Sequence, residues 1–337
     1  MDDVININVE SYKGLLKRYI ESQDETSLYG VEQVSKSFIQ KNILPEEIVN
    51  VHMQAMEDIY PQLSEDYRRS LNFLLEAMIS YGLAHQEFQM LREKQVELKS
   101  EIAVAANMQN TLLGSPIPEI EGIDIGIRSE PANDMNGDYH HFTKAADGRL
   151  ELAIADVIGK GVPAALCMSM IKYSMESYPE EQKSPSNVLY NLNRVVEQNV
   201  DPGMFITMLY AQYCPLEEKV RYASAGHEPG YYYNAETETF VEMETKGLVL
   251  GVTPETKYKE FEQKMRAGDM IIFFTDGVTE AKEGNRFIET EELLDIMRNH
   301  IHLPAQEMVD QVYKYFERLQ GFELRDDFTL AVLKKEV

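Results

Sequence analysis

Four acidic residues stand at the ends of apolar stretches of this sequence, and their placement restricts the folds open to the chain. Asp156 and Asp276 follow apolar runs with the composition of strands, whereas Asp138 and Asp326 precede such runs. One acid in such a position is often only a structural cap. Four acids can meet only if their strands belong to one system of sheets. Carboxylates brought together repel one another unless cations neutralise them.

The stretch Ala153–Pro163 shows this pattern most completely. Its apolar run ends in Asp156, two glycines follow at Gly159 and Gly161, and Pro163 opens a helical pattern. Glycine permits a tight turn, and proline is favoured in the first turn of a helix. The stretch therefore predicts a strand that delivers one carboxylate to its end, then a turn, then a helix. It is not a phosphate-binding loop, because Gly-x-x-x-x-Gly-Lys-Ser/Thr is absent.

The charge of the chain excludes two classes of partner. Its 337 residues carry a formal net charge of -25 at pH 7. Nucleic acids and anionic membranes would repel such a surface, so we expect neither as a partner. If the substrate is a phosphate ester, bound cations must supply the positive charge.

Cysteine usage and the N-terminal residues indicate a cytoplasmic protein. Cys167 and Cys214 are the only cysteines and lie in apolar surroundings, which suits buried thiols in a reducing compartment. The N-terminus lacks the basic and apolar regions of a signal peptide. No apolar run reaches the roughly 18 residues that a membrane span needs.

The pattern of the sequence changes near Gly114–Pro118, where glycine and prolines mark a boundary. Before it, apolar residues recur at helical spacing, and His52 lies on one apolar stripe, which predicts a core histidine. After it, short strands and hairpin turns dominate, with helices between them. We expect an α+β protein whose two antiparallel sheets carry helices on their outer faces. The predicted parts are an all-helical domain at 1–83, a linker helix at 84–113 and a sandwich domain at 114–337.

The linker helix has the heptad spacing of a coiled coil. One seam position is filled by Phe88, Gln95, Ile102 and Gln109, and the other by Leu91, Leu98, Ala105 and Leu112. Two alternatives remain open, since the helix can dock on its own domain or pair with the same helix of a second copy. We expect the second, a homodimer whose seam the two glutamines make marginal.

Metal-assisted hydrolysis is the chemistry that these residues supply best. Carboxylates are the ligands that Mg²⁺ and Mn²⁺ prefer, and two such ions can activate water for attack on phosphorus. The motifs Cys-x5-Arg, Gly-x-Ser-x-Gly and His-Glu-x-x-His are absent from the sequence. His140 and His141 are adjacent, so at most one of them faces the site from a strand. His227 follows a strand, and both a proton-donating and a structural role stay open for it.

Five motifs in fixed order carry a resemblance to a known family. They are Gly137-Asp138-Tyr139, Ala155-Asp156 with Gly159 and Gly161, Ala225-Gly226-His227, Thr275-Asp276-Gly277 with Glu280, and Asp326-Asp327 with Thr329. The sequence over 114–337 resembles the PP2C-like (PPM) serine/threonine phosphatases, and within them the SpoIIE-type branch of sporulation and stress-response enzymes. The helical N-terminal part resembles that of phosphatases that activate the general stress sigma factor B pathway.

The resemblance implies an αββα sandwich with two Mn²⁺ or Mg²⁺ ions between the sheets. It assigns catalytic roles to Asp156, Asp276 and Asp326. The metal ligands that it implies are Asp138, Asp156, the carbonyl of Val157, Asp276 and Asp326. Asp327 stands where many relatives have asparagine, so a supporting role is expected for it. The sequence departs from the family at Asn136, where relatives often have glycine.

The resemblance also implies partners. The substrate would be a phosphorylated RsbV-like anti-anti-sigma factor, and an RsbT-like kinase homologue would activate the enzyme by binding the helical domain. The turn at Gly159, Gly161 and Pro163 would act as the regulatory switch, because the helix after it moves with Asp156. The alternative is a catalytically silent scaffold that only binds partners.

Overall fold

The computed structural model describes residues 2–23, 25–41, 43–114, 116–159, 161–179, 183–201, 203–283, 286–322 and 324–336. Among these, the side chains of residues 2–9, 25, 39, 40 and 283 are left aside. The chain forms two compact units, Met1–Leu98 and Lys99–Val337. Among the described residues, no helix combines the length and the apolar character needed to cross a membrane.

The first unit is helical. Its helices are α1 (Asp2–Ser22), α2 (Glu25–Gln40), α3 (Pro45–Ile59) and the greater part of α4 (Glu65–Leu113). Pro45 occupies the first turn of α3 and is followed by two glutamates, which favour a helix N-terminus electrostatically. The His52 Nδ1 atom lies 2.9 Å from the Tyr12 hydroxyl, and the two rings meet edge to face. His52 therefore has the structural role that its apolar stripe predicts.

Helix α4 is continuous over 49 residues, and the predicted seam divides into two parts along it. In the first unit, Phe88, Leu91 and Leu98 are 56–60% exposed. In the second unit, by contrast, Gln109 is buried and Ile102, Ala105 and Leu112 are half-buried. The docked alternative thus holds for the last turns of the helix. The earlier turns leave an apolar edge uncovered, and pairing through that edge stays a prediction.

The second unit is an α+β sandwich. Its strands are β1 (Ile123–Glu130), β2 (Asp138–Lys144), β3 (Leu150–Val157), β4 (Ile206–Cys214), β5 (Lys219–Ala225), β6 (Tyr231–Asn234), β7 (Thr239–Glu242), β8 (Glu260–Lys264), β9 (Met270–Phe274), β10 (Lys282–Glu283), β11 (Arg286–Phe287) and β12 (Phe328–Lys335). Its helices beyond α4 are α5 (Val162–Ser177), α6 (Pro185–Asn199), α7 (Asp276–Thr279), α8 (Thr290–His300) and α9 (Ala305–Leu319).

Two five-stranded antiparallel sheets form the centre of this unit. The first has the order β1-β12-β9-β6-β7 and the second has the order β2-β3-β4-β5-β8. Apolar residues such as Ile154 and Phe273 fill the space between the sheets. Met168 of α5 and Leu192 of α6 pack on the outer face of the second sheet. Residues of α8 and α9 pack on the outer face of the first. The predicted αββα layering is confirmed.

The differences from the predicted elements are local. Asp276 does not end a strand but begins the single turn α7, because β9 already ends at Phe274. The short hairpin of β10 and β11 was not predicted, since two-residue strands leave no readable alternation.

Candidate active site

Asp138 and Asp156 face each other in the second sheet. They are cross-strand partners in the antiparallel pair of β2 and β3. Alternation along β2 places Asp138 on the same face as His140 and Phe142, and Phe142 lies in the core between the sheets. Both carboxylates therefore belong to the inner face of the second sheet, at the end where β3 leaves for α5.

Asp276 and Asp326 come from the first sheet. Asp276 lies two residues after the end of β9, and Asp326 lies two residues before β12, which pairs with β9. Burial raises the pKa of the Asp276 carboxyl, and the charge of Asp326 raises it further. The two acids are thus electrostatic neighbours at one edge of the sandwich.

Asp327 connects the two groups of acids. Its Oδ1 atom accepts a hydrogen bond of 2.7 Å from the Ala132 amide, and its Oδ2 atom accepts one of 2.5 Å from the Gly137 amide. A Cβ atom at Gly137 would lie 2.9 Å from that Oδ2 atom, and one at Gly277 would lie 1.9 Å from the Asp327 carbonyl oxygen. Both glycines are needed because the Asp138 and Asp276 turns approach Asp327 closely. Asp327 binds backbone amides, as expected of a supporting residue.

Asp138 is held by hydroxyl groups from the opposite sheet. The Thr275 hydroxyl donates to Asp138 Oδ2 at 2.6 Å, and Thr275 Oγ1 in turn accepts from the Thr329 amide at 3.1 Å. Burial raises the pKa of Asp138 well above its ordinary value, and the charges of Asp156 and Asp327 add to this effect. The two threonine hydroxyls oppose it only in part. A cation would offset the unfavourable burial of this carboxylate.

The turn after Asp156 has the conformation that its glycines predict. Gly159 has a φ of 133° and Gly161 a φ of 79°, in a region that other residues rarely adopt. Helix α5 then begins at Val162, with Pro163 in its first turn. The Val157 amide donates to the Gly137 carbonyl at 3.1 Å, which ties the Asp156 turn to the Asp138 turn.

The two adjacent histidines diverge. The His140 ring contacts Phe142 edge to face, on the side of Asp138. The His141 ring stacks on Tyr139, whose side chain belongs to the core beneath α5 and α6. Only His140 therefore points to the inner face, as strand alternation predicts.

His227 contacts Thr207, which pairs with Asp156 across the second sheet. Its Nδ1 atom is 3.0 Å from the hydroxyl of Thr207, and Thr207 is the cross-strand partner of Asp156. Burial lowers the pKa of His227 to about 4, and the Phe274 backbone opposes this only in part. A buried histidine that stays neutral near pH 7 is a poor proton donor. The structural alternative is the better supported of the two.

The donor set fits divalent cations. Within the described part of the chain, no three His, Cys, Asp or Glu side chains already surround one point as an ion would require. Mg²⁺ keeps several of its waters and commonly uses only one or two carboxylates, so three protein ligands per ion are not needed. Two pairs of carboxylates, Asp138 with Asp156 and Asp276 with Asp326, supply that minimum, and burial raises the pKa of Asp138 and of Asp276.

Comparison with known proteins identifies the family. The model of the stage II sporulation protein E (SpoIIE) family matches residues 146–336, and the model described as "Phosphoserine phosphatase RsbU, N-terminal domain" matches residues 10–84. The chain is 52% identical to the phosphoserine phosphatase RsbU of Bacillus subtilis over 97% of its own length and 98% of that protein. The chain belongs to the RsbU family of SpoIIE-type serine phosphatases.

Solved structures support the RsbU-family fold at low identity. The SiaA PP2C domain of Pseudomonas aeruginosa aligns with a TM-score of 0.62 at 17% identity, over 72% of this chain and 98% of that one. The RsbU and RsbW domains of Rv1364c from Mycobacterium tuberculosis align with a TM-score of 0.57 at 23% identity, over 66% of this chain and 64% of that one. These likenesses show the PP2C-like fold alone.

Membership of the RsbU family makes this chain an enzyme, a PP2C-type protein serine phosphatase. Phosphatases of this type depend on metal ions. Sequence reasoning anticipated the acids but not the residues that hold them. Thr275, Thr329 and Asn136 stand in the motifs or depart from them, and the motifs alone give them no role. The Asp138 partner of Thr275 lies 137 residues away in the sequence, so no local pattern reveals this contact.

Proposed function

We propose that this phosphatase removes phosphate from the phosphoserine of an RsbV-like anti-anti-sigma factor in the cytoplasm, and so promotes the sigma B general stress response. The observation that carries the proposal is the 52% identity to Bacillus subtilis RsbU along nearly the whole of both chains. A match of that extent includes the helical unit as well as the sandwich. We therefore propose a phosphatase that is regulated through its helical unit, rather than a phosphatase domain that acts without such regulation.

In this proposal Asp138, Asp156, Asp276 and Asp326 hold two Mn²⁺ or Mg²⁺ ions, with the Val157 carbonyl as a further ligand. The ions, when bound, supply charge neutralisation for the phosphoryl oxygens and activation of the attacking water. The chain's own part is to hold these carboxylates in place. Thr275 orients Asp138, and Asp327 fixes the turn before Asp138 through the Gly137 amide.

Activation in this proposal comes from an RsbT-like protein that binds the helical unit. The exposed apolar edge of α4, at Phe88, Leu91 and Leu98, supports a homodimer in which the same edge of a second copy covers these residues. The turn at Gly159, Gly161 and Pro163 is then the switch, since it joins Asp156 to α5.

Phosphate release tests the proposal directly. The assay uses the full chain, a phosphorylated RsbV-like protein, Mn²⁺ and an RsbT-like activator. We expect release that requires Mn²⁺ and rises with the activator. Asp156→Asn should abolish it while the circular dichroism spectrum is unchanged, and the exposed Asp295→Asn serves as the matched control. Turnover by Asp156→Asn at the wild-type rate would remove Asp156 from the site.

Metal binding is tested separately by thermal unfolding. A ligand that binds only the folded state stabilises it by about 2.7 kcal/mol at a concentration one hundred times its dissociation constant. Mn²⁺ should therefore raise the melting temperature of the wild type and of Asp295→Asn. It should raise that of Asp156→Asn much less. Equal shifts in all three proteins would contradict the ligand role of Asp156.

A further inference from the structure

The last turns of α4 are joined to the loop that carries Asp138. The Gln109 side chain is 5% exposed, although the heptad pattern predicts it as a seam residue. Its Nε2 atom donates to the Asn136 carbonyl at 2.7 Å, and its Oε1 atom accepts from the Asn136 amide at 3.1 Å. One side chain thus satisfies both backbone groups of Asn136.

Asn136 passes this restraint on to Asp138. Its Oδ1 atom accepts from the Asp138 amide at 2.9 Å, and its Nδ2 atom donates to the Ser129 hydroxyl at 3.1 Å. The Ser129 hydroxyl lies 2.9 Å from that of Thr329, on β12. A glycine at position 136 would lack both side-chain bonds. The Asn136 side chain therefore supplies a specific connection in this chain.

The same turns of α4 also contact α5. Gln109 Nε2 lies 3.4 Å from the Met168 sulfur, and the Lys172 ammonium donates to the Leu112 carbonyl at 2.5 Å. A cavity of 130 Å³, lined in part by Gln109, Ser129 and Asn136, lies beside this contact.

We propose that Gln109 is a positioning residue, which holds Asn136 and through it the Asp138 carboxylate in the geometry needed for metal binding. The proposal rests on the proposed function and specifies its regulation. Displacement of the last turns of α4 reaches Asp138 through Gln109 and Asn136, in addition to any displacement of α5. The loss of these bonds weakens the metal site without removing a ligand.

Two substitutions test this proposal against one control. Gln109→Met keeps the length of the side chain and removes both hydrogen bonds. Gln109→Glu keeps the acceptor and sets a carboxylate against the Asn136 carbonyl. Asn107→Asp makes the same amide-to-acid change on an exposed position of the same helix. The readouts are Mn²⁺ affinity by calorimetry, and hydrogen exchange of the peptide spanning residues 129–142 without metal.

We expect both Gln109 variants to exchange faster in that peptide and to bind Mn²⁺ about tenfold more weakly, whereas Asn107→Asp matches the wild type. Unchanged Mn²⁺ affinity in both Gln109 variants overturns the proposal, even where the melting temperature falls. If the wild type itself binds no Mn²⁺, the proposed function fails. In that case hydrogen exchange alone tests the contact between Gln109 and the loop. An unchanged exchange rate of the peptide in both Gln109 variants overturns that contact.

Discussion

The hydroxyl of Thr275 donates a hydrogen bond of 2.6 Å to the carboxylate of Asp138, and this bond joins the two sheets. Thr275 follows β9 of the first sheet, and Asp138 opens β2 of the second. Both residues are buried, so water does not compete for the bond. The spacing of the sheets at the candidate active site thus depends on a side chain that carries no charge.

Thr275→Val should weaken this connection with little change in side-chain volume. The variant removes the Thr275 donor from Asp138 and the acceptor of the Thr329 amide. An unsatisfied buried group costs about 1–3 kcal/mol, so we expect the free energy of unfolding to fall by that amount in urea titration. Thr239→Val, at an exposed position of β7, is the control. Equal stability of the two variants would contradict the role of Thr275.

Asp327→Asn should disturb two turns at once. The carboxylate accepts bonds from the Ala132 and Gly137 amides, and the Asn amide nitrogen cannot accept. We expect a loss of about 1–3 kcal/mol in stability together with weaker Mn²⁺ binding, since the Asp138 turn is released. Calorimetry and urea titration measure the two effects. Weaker binding at unchanged stability would instead make Asp327 a direct ligand.

Because His227 is buried, we expect the free energy of unfolding to fall on acidification. Its pKa in the folded protein is about 4, whereas the pKa of a histidine in an unfolded chain is about 6.5. Between these values the unfolded state binds the additional proton, so the stability from this group is complete above pH 6.5 and is lost towards pH 4. The slope is at most about 1.4 kcal/mol per pH unit.

Substitution separates His227 from the other titrating groups. The slope of unfolding free energy against pH between 6.5 and 4 should be shallower in His227→Gln than in the wild type. His302→Gln, at an exposed position, should leave the slope unchanged. A wild-type slope in His227→Gln would mean that the buried ring does not stay neutral.

Leu98→Glu tests the exposed edge of α4. The side chain is 56% exposed in the single chain, and a charge there would be buried in a paired seam. We expect sedimentation to show weaker dimerisation, and activation by an RsbT-like protein to fall with it. Ser100→Glu places the same charge on the opposite face of the helix. An unaltered dimer in Leu98→Glu would refute the seam.

The strands that carry the acids were predictable because their signals are local. Apolar runs that end or begin with aspartate predicted β3 and β12. The contacts of Gln109 were not predictable. A helix that docks on a domain and a helix that pairs with its twin share one heptad spacing, and only the tertiary partner separates them.

The hydrogen bonds that hold the acids in place could not be predicted from the sequence either. Thr275 reads as one more β-branched residue in a strand, and its partner lies 137 residues away. The catalytic role proposed for the aspartates comes from recurrence and resemblance. The hydroxyl and amide groups that orient them carry no pattern of their own, because hydrogen bonds of this kind are set by the fold.

The position of Asp327 has a consequence for the timing of synthesis. A ribosome adds about 5–20 residues per second, and 190 residues separate Gly137 from Asp327. Roughly 10–40 s therefore pass between the translation of the first acidic turn and that of the residue that fixes it. During this interval β1 lacks β12, its neighbour in the first sheet. A nascent chain can fold its hairpins yet cannot hydrolyse a phosphoserine before its sandwich closes.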